Sequence, residues 1–206
     1  MEFAEVVRRR RMVRAYQTDR PVPREVLERL LSYATHAPSA GFSQGWHFLV
    51  LERPADLAAY WATTTSDGDP ADDDSWLAGM RSAPVLVIAL SDREAYLTRY
   101  AEPDKGWTDL DETRWPVPYW HIDTGMASLL MLLGAVDEGL AGCFFGVPPE
   151  HHAAVREQFG VPIGLVPVGV VSVGYPATDV RSPSLRRGRR GLDQVLSVGK
   201  YGDAWR

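Results

Sequence analysis

Ten of the chain's 22 basic residues lie in two short blocks, Arg8, Arg9, Arg10, Arg11 and Arg14 near the start and Arg181, Arg186, Arg187, Arg189 and Arg190 near the end. Almost all basic residues are arginine; Lys105 and Lys200 are the lysines. A planar guanidinium fork suits a phosphate or carboxylate better than an ammonium does. Two such blocks make an anion site if the fold brings the ends together; alone they also read as a solvated helix face and a basic tail. The second chemical stretch is Ser39–Gly45, SAGFSQG, which contains a G-x-S-x-G pattern. That pattern is a nucleophile elbow only between a preceding strand and a following helix. Here a helical pattern precedes it and an apolar, strand-like WHFLVLE follows, so an attacking Ser43 is disfavoured. Small residues let backbone approach a flat ring closely, and Ser43 and Gln44 offer polar groups to its edge; a plain helix-to-strand connection is the alternative.

Composition narrows the class. The 206 residues suggest one domain, and 45% hydrophobic content supplies a proper core. The net charge of -5, with basic residues concentrated in two places, argues against a general nucleic-acid binder. The chain start has no apolar run after its charges, no stretch is long enough to span a bilayer, and Cys143 stands alone. These features lead to the expectation of a cytoplasmic protein without membrane association.

The elements that must position these residues follow from periodicity. Phe3–Arg11 reads as a short helix. DRPVPREVLERLLSYATHAPS (19–39) is the clearest helix, with Pro23 near its first turn, Val26, Leu27, Leu30, Leu31 and Ala34 on one face and Ala37-Pro38 at its end. Strands are expected at WHFLVLE, PVLVIAL, AGCFFGV and GLVPVGVVSVGY, and helices at Pro54–Ala62, Tyr119–Leu140 and Pro149–Phe159. Tyr119–Leu140 is apolar nearly all round and should be buried. Thr63–Ser75 is polar and acidic, and 100–118 is an irregular excursion. The mixture lacks a βαβ cadence, which implies an α+β fold with helices packed on a small sheet. His121 and Asp123 are either ligand contacts or satisfied polar residues of that long helix. His151-His152 lacks ligand spacing, so no metal site is expected.

Three stretches together resemble the FMN-dependent nitroreductase superfamily: RRMVRAY at 10–16, PVPREVLERLLSYATHAPSAGFSQGWHFLVL, and GLAGCFFGVPPEHHAAVREQFGVPIGLVPVGVVSVGYP. The resemblance runs in order over most of the chain and extends to the basic tail. It implies a central, mainly antiparallel sheet flanked by helices in a single domain over 1–206, with the long helix at a homodimer interface. It implies FMN bound between subunits, with Arg10, Arg11, Met12 and Arg14 at the phosphate and ribityl chain, and Arg187 and Arg189 at the same phosphate. Pro38, Ser39, Ala40, Phe42 and Gln44 would line the ring from the other subunit, and Phe144, Phe145 and Gly146 would pass its other side.

Three positions depart from the family's usual RRSxR and APSxxNxQPW. Met12 stands for serine, Phe42 for asparagine, and Gly45 for proline, which implies a looser loop. No G-x-G-x-x-G or P-loop is present, so NAD(P)H would bind transiently over the flavin and exchange hydride in a ping-pong sequence. The excursion at 100–118 would act as a lid, with Phe42, Trp107, Trp115, Tyr119 and Trp120 facing a flat aromatic substrate; simple anchoring by packing is its alternative. Other readings are a specialised flavoprotein of the same fold (a natural-product dehydrogenase, a dehalogenase or a flavin-consuming enzyme), a non-catalytic flavin-binding protein, and a nucleic-acid module using the arginines.

Overall fold

The protein is described by a computed structural model covering residues 1–65, 74–178 and 182–205. Its elements in order are α1 (Phe3–Arg9), α2 (Arg24–Thr35), β1 (Trp46–Leu51), α3 (Pro54–Thr64), α4 (Ser75–Arg81), β2 (Val85–Asp92), α5 (Arg93–Ala101), α6 (Tyr119–Asp137), β3 (Ala141–Phe145), α7 (His152–Phe159) and β4 (Leu165–Gly174). The four strands form one sheet in the order β1-β2-β4-β3, every pair antiparallel. The fold is α+β, as the patterning implied.

Period-two alternation explains why β2 is a continuous apolar run. Leu86, Ile88 and Leu90 enter one core with Tyr60 and Trp61 of α3, Met80 of α4 and Val155 of α7. Val85 and Val87 enter the opposite core, where α2 presents Leu27, Leu30 and Ala34 and α6 presents Ala127, Met131 and Ala135. A sheet covered on both faces needs no polar alternation. Fully burying each of these larger side chains is worth about 1.5–3 kcal/mol.

Several expectations are corrected. The helix foreseen over Phe3–Arg11 stops at Arg9, and the long helix stops at Asp137. Helices α4 and α5 lie almost wholly in stretches to which the sequence reading assigned no element. Both have a signal that was available: Asp74 and Asp92 are N-caps, their carboxylates accepting the backbone N–H of Leu77 and Ala95. Most of the acidic stretch 63–75, and Arg181 of the second basic block, lie outside the described residues.

Helix α6 is not buried all round. Asp123, Thr124, Ala127, Ser128, Met131 and Ala135 are buried, but Tyr119, Ile122 and Leu129 are more than 40% exposed. An apolar edge on the protein's longest helix therefore remains uncovered in the single chain. Phe3 and Val7 of α1 are exposed as well, and Phe3 and Val6, with Tyr33 and Leu133, line an apolar groove between α1, α2 and α6. Among the described residues no helix is long and apolar enough to cross a membrane.

Candidate cofactor site

The arginine segment after α1 is held extended from several sides. Met12 bridges Gly142 in parallel fashion beside β3, and the N–H of Val13 donates to the Gly142 carbonyl at 3.1 Å. The Tyr16 N–H donates to Ser82 Oγ at 2.9 Å, and its buried phenol lies 2.7 Å from both the Val13 carbonyl and Ser172 Oγ. Gly79 of α4 closes the other flank. A Cβ there would lie 2.1 Å from the Arg14 carbonyl oxygen, so only glycine lets the helix come this close. Burial of Val13 and Tyr16 in the core fixes the segment, and Arg10 and Arg14 remain half-buried at the surface.

The arginines border a cleft of about 300 Å³. Arg8, Arg10, Arg11 and Arg14 form one wall, and Arg189 arrives from the far end of the chain. Ser182 and Ser184 face it from the C-terminal segment, while Met12 and Leu185 add apolar surface. Arg10 carries a buried Nη1 that has no hydrogen-bond partner among the described residues. Members of both blocks border this cleft, and Arg187 is not among them. It ends the 3-10 turn Pro183–Arg187, and Gly188, at φ 69°, turns the chain so that Arg189 reaches it. Sequence reasoning missed Arg8, Ser182 and Ser184. Arg8 was legible as part of the first block; the serines have no sequence pattern and depend on how the tail folds back.

The loop after α2 is a compact turn. Gly41, Phe42 and Gln44 have φ of 61°, 56° and 50°, the left-handed region that only glycine enters without strain. The loop is tied internally: Ser39 Oγ accepts the Gln44 N–H at 3.0 Å, and Ser43 Oγ donates to the Ala40 carbonyl at 2.7 Å. The Ser43 hydroxyl thus closes its own turn, and helix before and strand after complete the case against a nucleophile. The Ala40 N–H donates to Asp123 Oδ2 at 2.9 Å, which also accepts the Tyr96 hydroxyl at 2.8 Å. Asp123 is 2% exposed, a carboxylate on α6 that anchors the loop from below. Burial, then the bond to Asp123, push the Tyr96 phenol pKa well upward, keeping it a donor.

Ser39 and Ser43 thus bond within the loop and the Ala40 N–H bonds to α6, and what the loop presents outward is Phe42, 73% exposed, with the exposed Pro38 and Gln44. Gly45 does not loosen it. Gly45 is buried, its carbonyl accepts the Asp92 N–H, and a Cβ would meet the Tyr96 ring at 2.4 Å and the Asp92 carbonyl oxygen at 2.6 Å. The departure from proline accommodates Tyr96.

The aromatic excursion is built around Trp115. Its ring lies within 4.6–6.2 Å, centroid to centroid, of Tyr96, Tyr100, Trp107, Tyr119 and Trp120. Tyr100 leans on the loop: its Cε2 occupies the space where a Gly41 Cβ would be, 2.5 Å away. Arg99 grips Asp104 through two bonds of 2.7 and 2.8 Å, and Arg93 pairs with Glu112. The segment is an ordered brace beside the loop. Trp120 is buried, Trp107 and Trp115 are half-buried, and Tyr119 is exposed.

Phe144 and Phe145 are neighbours on β3 and point to opposite faces. Phe144 lies over Gly169 on the α2/α6 side, and Phe145 stacks on Trp61 at 6.0 Å with 8° between planes. They cannot both offer side chains to one ring; Gly146 follows them, exposed, at the strand end. His121 Nδ1 lies 2.8 Å from Ser91 Oγ, and burial lowers its pKa. His152 bonds the Val147 carbonyl. Both histidines are satisfied polar groups, and among the described residues no cluster of His, Cys, Asp and Glu could hold a metal.

The site therefore combines a helix-flanked antiparallel sheet, an arginine-lined cleft and a small-residue loop braced by aromatics. The chain belongs to the nitroreductase family, whose model matches residues 7–175. It is 30% identical over 177 residues to a provisionally named NADH dehydrogenase/NAD(P)H nitroreductase of Archaeoglobus fulgidus, covering 85% of this chain and 86% of that protein. A 4-nitrobenzoate reductase of Nocardioides sp. is 30% identical over 198 residues, covering 84% of this chain and 80% of that protein. In structure it resembles a protein of Desulfovibrio desulfuricans solved in complex with FMN, with a TM-score of 0.68, 24% identity and 95% of each chain covered.

Proposed function

We propose that this protein is an FMN-dependent oxidoreductase that uses NAD(P)H to reduce a flat aromatic acceptor such as a nitroaromatic or quinone, by ping-pong hydride exchange. Family membership makes it an oxidoreductase, and the relatives' names supply the nicotinamide donor and a nitroaromatic acceptor. The observation that carries the reading is the convergence of Arg10, Arg14 and Arg189 on one cleft, with a buried guanidinium nitrogen that has no partner among the described residues. That donor set fits the terminal phosphate of FMN.

FMN, when bound, supplies the redox chemistry, accepting and giving up hydride. This chain's residues hold and orient. Arg10, Arg11 and Arg14 take the phosphate from one side and Arg189 from the other. The Ser39–Gln44 loop, fixed by Asp123, offers Phe42 and Gln44 to the ring, and Tyr100 of the Trp115 cluster packs against that loop at Gly41. No side-chain acid or base is required. We further propose a homodimer in which the uncovered edge of α6, with Ile122 and Leu129, packs against a second copy and brings one protomer's loop to its partner's arginines.

Anaerobic stopped-flow titration of the purified flavoprotein with NADH and NADPH tests this. Bleaching of the flavin absorbance, followed by reoxidation on addition of a quinone or nitroaromatic, is expected. A colourless protein that takes up no FMN at micromolar concentrations would end the proposal; a yellow protein that neither nicotinamide bleaches would make it a flavin-binding protein without this activity.

A further inference from the structure

We infer that Ser182 and Ser184 form the hydroxyl half of the phosphate site, so that the chain grips a phosphomonoester with arginines from its start and serines from its end. This rests on the FMN reading above and adds to it residues that no sequence pattern marks. Guanidinium groups bring charge and planar forks. A phosphate is tetrahedral and accepts from several directions, and rotatable hydroxyls fill those that a fork cannot reach.

The arginine wall has no hydroxyl to give. Residues 8–14 read RRRRMVR. Met12 borders the cleft with a thioether, which has no proton to donate, and its sulfur already accepts the Phe144 N–H at 3.3 Å. Met12 thus ties the arginine segment to β3. Among the described residues, the hydroxyls that border this cleft are those of Ser182 and Ser184. They flank Pro183, whose ring restricts the backbone between them, and their oxygens lie 2.6 Å apart in a mutual hydrogen bond. Two hydroxyls own two protons, and the mutual bond uses one. The second is left for an acceptor, and hydrogen bonds in a chain polarise one another. Both serines border the same cleft as Arg10.

Flavin-free full-length protein should be titrated with FMN and, separately, with riboflavin, following the quenching of flavin fluorescence. Riboflavin has the same ring and ribityl chain without the phosphate. Wild-type protein should prefer FMN. The S182A/S184A variant should lose about tenfold in FMN affinity, as expected for a partly exposed hydrogen bond to a charged group, with riboflavin affinity unchanged. The S182T/S184T variant keeps both hydroxyls and should stay near wild type. Equal FMN affinity in wild type and S182A/S184A overturns the inference and leaves the FMN reading standing. Parallel loss of FMN and riboflavin affinity also overturns it, because the serines would then only shape the tail. Failure of wild-type protein to bind FMN removes both together.

Discussion

Replacing Asp123 by alanine tests whether one buried carboxylate holds the ring-lining loop. Asp123 Oδ2 accepts two bonds, from the half-buried Ala40 N–H at 2.9 Å and from the fully buried Tyr96 hydroxyl at 2.8 Å. Truncation strands both donors. A buried donor without an acceptor costs about 1–3 kcal/mol, and the partly exposed Ala40 N–H falls at the lower end. The sum is about 2–4 kcal/mol, which lowers the melting temperature by about 5–15 °C for a chain of this size. Asp123→Asn behaves differently. The amide oxygen still accepts at the same place, and removing a buried charge offsets the loss of charge assistance, so the cost stays within about 1 kcal/mol. Loop and cofactor are linked: without the anchor, Phe42 and Gln44 relax from left-handed backbone that costs about 1–3 kcal/mol per residue, and FMN binding must restore it. The assay is thermal melting by circular dichroism at one fixed protomer concentration, since association shifts the transition, together with FMN titration. If the alanine and asparagine variants melt together, within about 1 °C of wild type, Asp123 does not anchor the loop.

Three further outcomes are expected. Gly45→Ala drives a methyl into the Tyr96 ring and the Asp92 carbonyl; overpacking of this kind costs about 1–3 kcal/mol, measurable by urea denaturation, and a neutral result would mean that the loop yields. Arg10→Ala should weaken FMN binding by about tenfold or more, with a shallower dependence on salt and unchanged riboflavin affinity, read by fluorescence titration. Burial lowers the pKa of His121 in the folded protein, so the unfolded chain binds a proton first, near its ordinary value of about 6.5. Stability from this residue is complete above that pH and declines as the pH falls through it; His121→Gln should flatten the melting temperature between about pH 7 and 5, and an unaltered slope would assign the acid sensitivity elsewhere.

Much of the site could be read from local chemistry. Arginine blocks, a small-residue loop and the apolar runs of β1, β2 and β4 are properties of short stretches, and short-range periodicity and residue chemistry determine them without reference to distant parts of the chain. The α2 face of Val26, Leu27, Leu30 and Ala34 is of this kind, and so is the reversed helix-loop-strand order that disqualifies Ser43. Tertiary structure alone decided which members of each block meet. Arg189 reaches the cleft and Arg187 does not because Gly188 turns the chain between them, and Ser182 and Ser184 join it because the tail folds back. It alone gave Asp123 its task, since the Ala40 N–H is 83 positions away in sequence. It also reversed the meaning of Gly45, which reads as slack in a loop and is in fact the gap that the Tyr96 ring fills. Contacts between residues far apart in the chain depend on how the sheet and helices pack, and no local pattern encodes them.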